Sequence, residues 1–239
     1  MSDLKGALIS FMPTFVGSVP NVIVFQINPE TITHSWTEPA DDQSANGFRT
    51  NFNPLAVAGV PGETFSFTLM LDSNDEIADG ATNPVAAGIA TATGAYSRLA
   101  ALEMLQYPMA SASTLLGQVS ANLSTAAVGA SSAPSTSVPL SQVPVVLFVW
   151  GPQRIVPVRV SQLQVTERLY DSLLNPIHAE AQITLSVLTP DELAAVQGPM
   201  RDFANVAYLY TQAIRQAQAA ANLGDVAVSS ILGMLPTPV

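Results

Sequence analysis

The sequence predicts a mainly β chain of the α+β class with a helical C-terminal extension. Three observations predict it. The stretch "ETFSFTLML" (63–71) alternates apolar and polar residues throughout. Residues 156–188 hold two long alternating runs around a short polar break. After Thr189 and Pro190 the apolar spacing changes from two residues to about 3.6. These features divide the chain into a β domain at 1–189 and a helical extension at 190–239.

Residues 7–11 and 22–27 read as strands, with "MPTFVGSVPN" between them as a loop rich in proline and glycine. Pro29 lacks an amide hydrogen and breaks the second strand. Residues 32–38 are extended again, and 39–61 form a long polar loop. In 63–71, Phe65, Phe67, Leu69 and Leu71 share one face, opposite Thr64, Ser66, Thr68 and Met70. Burying the four large side chains is worth roughly 6–12 kcal/mol before chain entropy is counted.

"DSNDEIADGATNP" reads as an acidic loop, followed by a helix at 96–106 that carries Leu99, Leu102 and Leu105 and stops before Pro108. Residues 109–143 are rich in Ser, Ala and Thr and read as an insertion, with a weak helix around Leu115, Val119 and Leu123. "PVVLFVW" (144–150) is apolar on both faces, as a central strand requires. Val156, Val158 and Val160 then alternate, and Leu163 and Val165 continue on the opposite phase. That slip near Ser161 predicts a β-bulge. Turn residues at 171–176 join this strand to the alternating 179–187, making a long antiparallel hairpin. Thr189 or Asp191 caps a short helix over 192–196. A longer helix spans 199–222 with a stripe that includes Phe203, Val206, Ala207, Tyr210 and Ile214, and a last short helix covers 226–235.

The chain has 239 residues, 48% of them apolar and 11% charged, so it can build a sizeable core under a surface of Ser, Thr, Gln, Asn and Ala. A net charge of −10, with no runs of basic residues, argues against nucleic-acid binding. The absence of cysteine excludes disulfides, Cys–zinc sites and thiol catalysis. No apolar run approaches the ~20 residues of a membrane helix. The N-terminal residues, with Asp3 and Pro13, fit a secretion signal poorly, so the chain is expected to stay in the cytoplasm until something releases it.

A search for chemistry finds no nucleophile–base pair, no phosphate or dinucleotide loop, and no expected cofactor or metal. His34 and His178 are the only histidines, and neither sits in a metal-ligand spacing. The carboxylates of 72–80 resemble a calcium loop faintly, but Ile77 stands where the turn glycine belongs. Arg159, Glu167, Arg168 and Glu180 are placed to pair across the hairpin, Glu167 with Arg168 and Arg159 with Glu180. Phe203, Tyr210 and Ile214 offer an apolar helix face. Arg159, Glu167, Glu180, Phe203, Tyr210 and Ile214 are therefore the candidates for contacts between subunits or with partners.

Four motifs in order, "VIVFQINPETI", "FSFTLMLDSND", "VVLFVWGPQRIVPVRVSQLQVTE" and "YDSLLNPIHAEAQITLSVL", resemble the tube-initiator baseplate proteins of contractile injection systems. The resemblance covers about residues 5–189. It implies a phage tail-tube-like β-barrel or sandwich with a helix, assembled as a homo-hexameric ring. The ring would lie between the spike hub and the inner tube, initiate the tube, and touch baseplate wedge proteins. It implies no enzyme activity and no contact with nucleic acid or membrane. Assembly is expected in a bacterial cytoplasm, within a phage tail-like particle that can be released from the cell. The alternative is another tube-like component, an inner tube subunit or a tube terminator. Relatives carry a LysM module after the tube-like domain; here only helices follow Thr189, and they are expected to fold back on the barrel or dock a wedge.

Overall fold

The structure, a computed structural model, describes residues 4–14, 17–39, 59–78, 81, 83–107, 143–196 and 200–222. Most of the expected 39–61 loop, nearly all of the Ser/Ala/Thr-rich insertion and the final helix at 226–235 lie outside them. Among the described residues seven strands form one antiparallel sheet in the order β2-β1-β5-β6-β7-β4-β3. They are β1 (Ala7–Thr14), β2 (Gly17–Val24), β3 (Ile32–Thr37), β4 (Gly62–Asp72), β5 (Val146–Val149), β6 (Ile155–Tyr170) and β7 (Pro176–Val187). The helices are α1 (Ser73–Ala78), α2 (Pro84–Thr93), α3 (Tyr96–Glu103), α4 (Pro190–Ala194) and α5 (Met200–Asn222). The α+β class follows directly.

Two expectations in the N-terminal half need correction. The supposed loop between the first strands is itself β: β1 and β2 pair from Ala7 with Val24 to Thr14 with Gly17. The Phe25 amide donates to the Gly6 carbonyl, so the odd residues of β2 face β1 and the even ones face outward. Pro20 thus falls on the outer edge, and Pro13 faces the side of β1 that β5 no longer covers beyond Ser10. Neither proline interrupts a ladder bond. The acidic segment is likewise no plain loop. Ser73–Ala78 is helical, and α2 follows, capped by the Asn83 side chain on the Ala86 amide. Its Ala-, Thr- and Gly-rich sequence buries only Ala90, so it carries almost no apolar stripe to read.

The sheet curls on itself. Phe25, just past β2, lies 5.6 Å from the Phe67 ring of β4. The Gln26 side-chain amide donates to the Asp72 carbonyl (2.8 Å) and accepts from the Asp72 amide (2.9 Å), extending the ladder where β3 has ended. Asn28 does the same at the start of β1, accepting from the Gly6 amide and donating to the Leu4 carbonyl. Inside, Phe65, Phe67 and Phe148 form an aromatic ladder with Leu8, Leu69, Leu71, Val146, Val156, Val158, Ile183 and Leu185 around it. Val146 and Phe148 of β5 enter this core and Leu147 is buried as well, while Val145, just ahead of β5, packs with Leu193 of α4 and Ala204 of α5.

The β6–β7 pairing shifts register between Val160 and Gln162, the expected bulge. At the hairpin tip the Asp171 carboxylate accepts from the Leu173 and Asn175 amides, both at 2.8 Å, and from the Asn175 side chain. The Ala95 amide, at the junction of α2 and α3, donates to the Pro176 carbonyl (2.8 Å). Gly94 makes that approach possible. Its φ is +59°, and a Cβ there would run into the same Pro176 carbonyl. Gly94→Ala is expected to destabilise the fold by roughly 2–3 kcal/mol, read as a lower urea midpoint with the slope unchanged.

Thr189 caps α4 in a reciprocal box with Glu192, whose carboxylate accepts from the Thr189 amide at 2.8 Å. α5 then folds back onto β6. Its inward stripe is Ala204, Ala207, Tyr208 and Thr211. Phe203 is instead 64% and Val206 65% exposed, so these two members of the anticipated stripe face away from the sheet, while Ala207 is buried. Phe203 turns outward, and the small Ala204 packs instead against Leu193 of α4 and Val145, just ahead of β5.

Candidate functional site

The outer face of β3, β4, β7 and β6 is largely polar. Register places Ser35, Thr64, Ser186 and Arg159 in one cross-strand row. Thr33, Ser66, Thr184 and Gln162 make the next, followed by Thr68, Gln182 and Gln164. The Thr184 hydroxyl donates to Ser66 at 3.4 Å. Charge appears only toward the ends: Arg159 on one side, and Asp72, His178, Arg168 and Glu180 on the other. The result is a hydroxyl- and amide-lined sheet face above an apolar one, which follows directly from the alternation of each strand.

This four-stranded section has two margins. The Leu188 amide donates to the Pro157 carbonyl, which fixes which residues of each strand face which neighbour. Carried across the sheet, that parity points the amides and carbonyls of Ile32, His34 and Trp36 outward from β3. On the other side β5 covers β6 only as far as Val158. Beyond the bulge the backbones of Leu163, Val165 and Glu167 face away from β7, with no described strand beside them. The outer edge of β2 is different. Pro20 removes one of its donors, and the Val24 carbonyl accepts from Arg98 at 3.2 Å.

Behind β3, on the apolar face of the sheet, lies a polar cluster. Glu63 shares the inward phase of Phe65 and Phe67 and is only 6% exposed. Its carboxylate accepts from Arg215 of α5 through both guanidinium nitrogens, one contact at 2.9 Å, and from His34 Nε2 at 2.6 Å. His34 stacks on Phe65, and the Arg154 guanidinium lies 5.3 Å from the Phe65 ring centre. Burial raises the Glu63 carboxyl, but Arg215 and His34 outweigh it and hold the group below its ordinary range. Burial lowers His34, the two guanidiniums add to that, and the Glu63 contact only partly offsets it. Arg215 is raised, chiefly by its bond to Glu63, so the two partners agree in sign. Further along α5, Thr211 Oγ1 accepts from the Ile155 amide and donates to the Ile155 carbonyl, groups that β7 ends too early to reach.

The expected contact residues are spread over these surfaces. Arg159 and Glu180 lie on the polar face, but six positions of β7 separate them: Arg159 stands opposite Ser186. Glu180 pairs instead with Arg168 at 3.3 Å. Glu167 stands opposite Ala179, on the other face. Phe203 and Tyr210 are exposed, with the Tyr210 hydroxyl donating to the Pro152 carbonyl (3.0 Å), and Ile214 is half-buried. Glu63, His34 and Arg215 were not anticipated as a set. Glu63 did leave a signal, being the one carboxylate on the apolar phase of the cleanest strand.

Among the described residues no three His, Cys, Asp or Glu side chains are grouped as metal ligands. No described helix is long and apolar enough to cross a membrane. An open groove of about 450 Å³ between β2 and the α2–α3 pair is lined by Val22, Val24, Ile89 and Arg98, among others, with no carboxylate or imidazole. No protein-family model matches the chain, and no curated protein matches its sequence.

Proposed function

We propose that this chain is a structural ring component of a contractile injection system, a tube initiator that connects the spike hub to the inner tube. Six copies pair edge to edge, and each contributes its β6–β7–β4–β3 section to a common wall around a bore. The observation that carries this reading is the pair of margins on opposite sides of that section, at β3 and at β6 beyond Val158, that no strand covers among the described residues. A head-to-tail contact between two different edges closes into a ring or continues as a filament, and an unpaired strand edge is itself a template for another strand. The face of Ser, Thr and Gln rows would line the bore, where hydroxyls and amides keep water and hold passing chains weakly. The four ordered sequence motifs supply the rest of the reading. An inner tube subunit or terminator of the same particle uses the same contacts. The outward face of α5, with Phe203 and Tyr210, is the element left for a wedge protein.

Parity gives a clean test. The Trp36 amide faces away from β4, so Trp36→Pro leaves the internal ladder intact and removes a donor from the margin alone. The wild-type chain is expected to form six-fold rings in negative stain and a hexamer by native mass. Trp36→Ala should retain them and Trp36→Pro should lose them while remaining folded. A monomeric wild type, or rings that persist in Trp36→Pro, would sink the proposal.

A further inference from the structure

The cluster behind β3 joins elements far apart in the chain. Glu63 lies on β4, His34 on β3, and Arg215 on α5, 152 residues from Glu63. Arg154, in the β5–β6 connection, and Tyr208 of α5 are the other titratable or charged groups acting on the set. One nearly buried carboxylate is thus the common acceptor for a barrel strand and for the C-terminal helix. Near it, Thr211 on Ile155, Tyr210 on Pro152 and Gln218 on Gln153 complete the seat of the helix with neutral hydrogen bonds.

We propose that Glu63, His34 and Arg215 form an acid-released latch, which holds α5 against the barrel at neutral pH and lets it go when the cluster takes up protons. The argument is one of reciprocity. Arg215 reaches Glu63 only while α5 is docked, and it disfavours protons on both Glu63 and His34. Proton uptake must therefore disfavour docking by the same factor. Protonating Glu63 removes the negative charge that gathers two cationic groups, and Arg215 is left beside Arg154 in a half-buried site. Protonating His34 adds a third positive charge there. Both groups have lowered pKa values in the docked state. The stabilisation that Arg215 gives the docked helix is therefore present while Glu63 is ionised and His34 is neutral. It declines as pH falls through the lowered His34 value, and the rest is lost below 4.5 as Glu63 protonates. The latch operates within one copy and is independent of any ring.

The chain has no cysteine, so spin labels at Gln153→Cys and Gln218→Cys report the seat directly. In full-length chain diluted with unlabelled protein, one short distance is expected at about pH 7.5. A broad, longer population should grow toward about pH 4, before near-UV circular dichroism reports loss of the barrel. Glu63→Gln should show the long population already at neutral pH and lose the pH dependence. His34→Gln keeps a donor to Glu63 but cannot titrate, so its release should shift to lower pH by on the order of one unit. It also serves if Glu63→Gln fails to fold. The proposal is overturned if the short distance persists until the barrel itself unfolds, or if His34→Gln releases at the wild-type pH.

Discussion

Arg215→Ala is expected to destabilise the protein by about 3 kcal/mol, the low end of the range for stripping the partner from a buried charge. The Glu63 side chain is 5% exposed and that of Arg215 is 30% exposed, so water can relieve the cation but hardly the carboxylate. Glu63→Leu alone leaves Arg215 able to turn toward solvent and should be milder. The double variant Glu63→Leu/Arg215→Leu should be close to neutral, because two apolar side chains then replace two desolvated ones. A double-mutant cycle in urea reads the coupling directly. A coupling below about 0.5 kcal/mol would place the pair among screened surface pairs and contradict its burial.

Phe148→Ala should have the larger effect, about 3–5 kcal/mol. Phe148 is fully buried on the central β5 and meets Phe65 at 5.3 Å, Phe67 at 5.4 Å and Trp150 at 6.3 Å. Its neighbours sit on β4 and at the end of β5, held by backbone ladders that cannot close over the space. The cavity should therefore remain. Phe148→Leu, which refills most of it, should lose under about 1.5 kcal/mol. Urea melts of the two variants separate the cavity term from the lost aromatic contacts. Equal losses in both would mean that ring geometry rather than volume sets the stability.

How much was legible depends on whether the signal was local. The β4 strand, the β6–β7 hairpin and its bulge were all readable, and Thr189 was one of the two caps left open for the helix after them. Each is written in residues within a few positions of one another, and the alternation is strong. The β1–β2 hairpin was not, because Pro13 and Pro20 usually mark a loop. Only the ends of the neighbouring strands decide that neither proline breaks a bond. The stripe of α5 was misplaced for a related reason. Periodicity locates an apolar face, but the packing of α5 against Leu193 and Val145 selects Ala204 over Phe203 for the contact.

The sequence by itself determined the two faces of β4, β6 and β7, because a period of two assigns every side chain to one side. Only the tertiary structure decided which margins no described strand covers and which are finished from within by Gln26, Asn28 and Thr211. It also decided that Glu63 would meet Arg215. The physical reason is the same in both cases. Hydrogen bonding and charge pairing act over a few ångströms, and a linear sequence does not say which distant residues the folded chain brings within that reach.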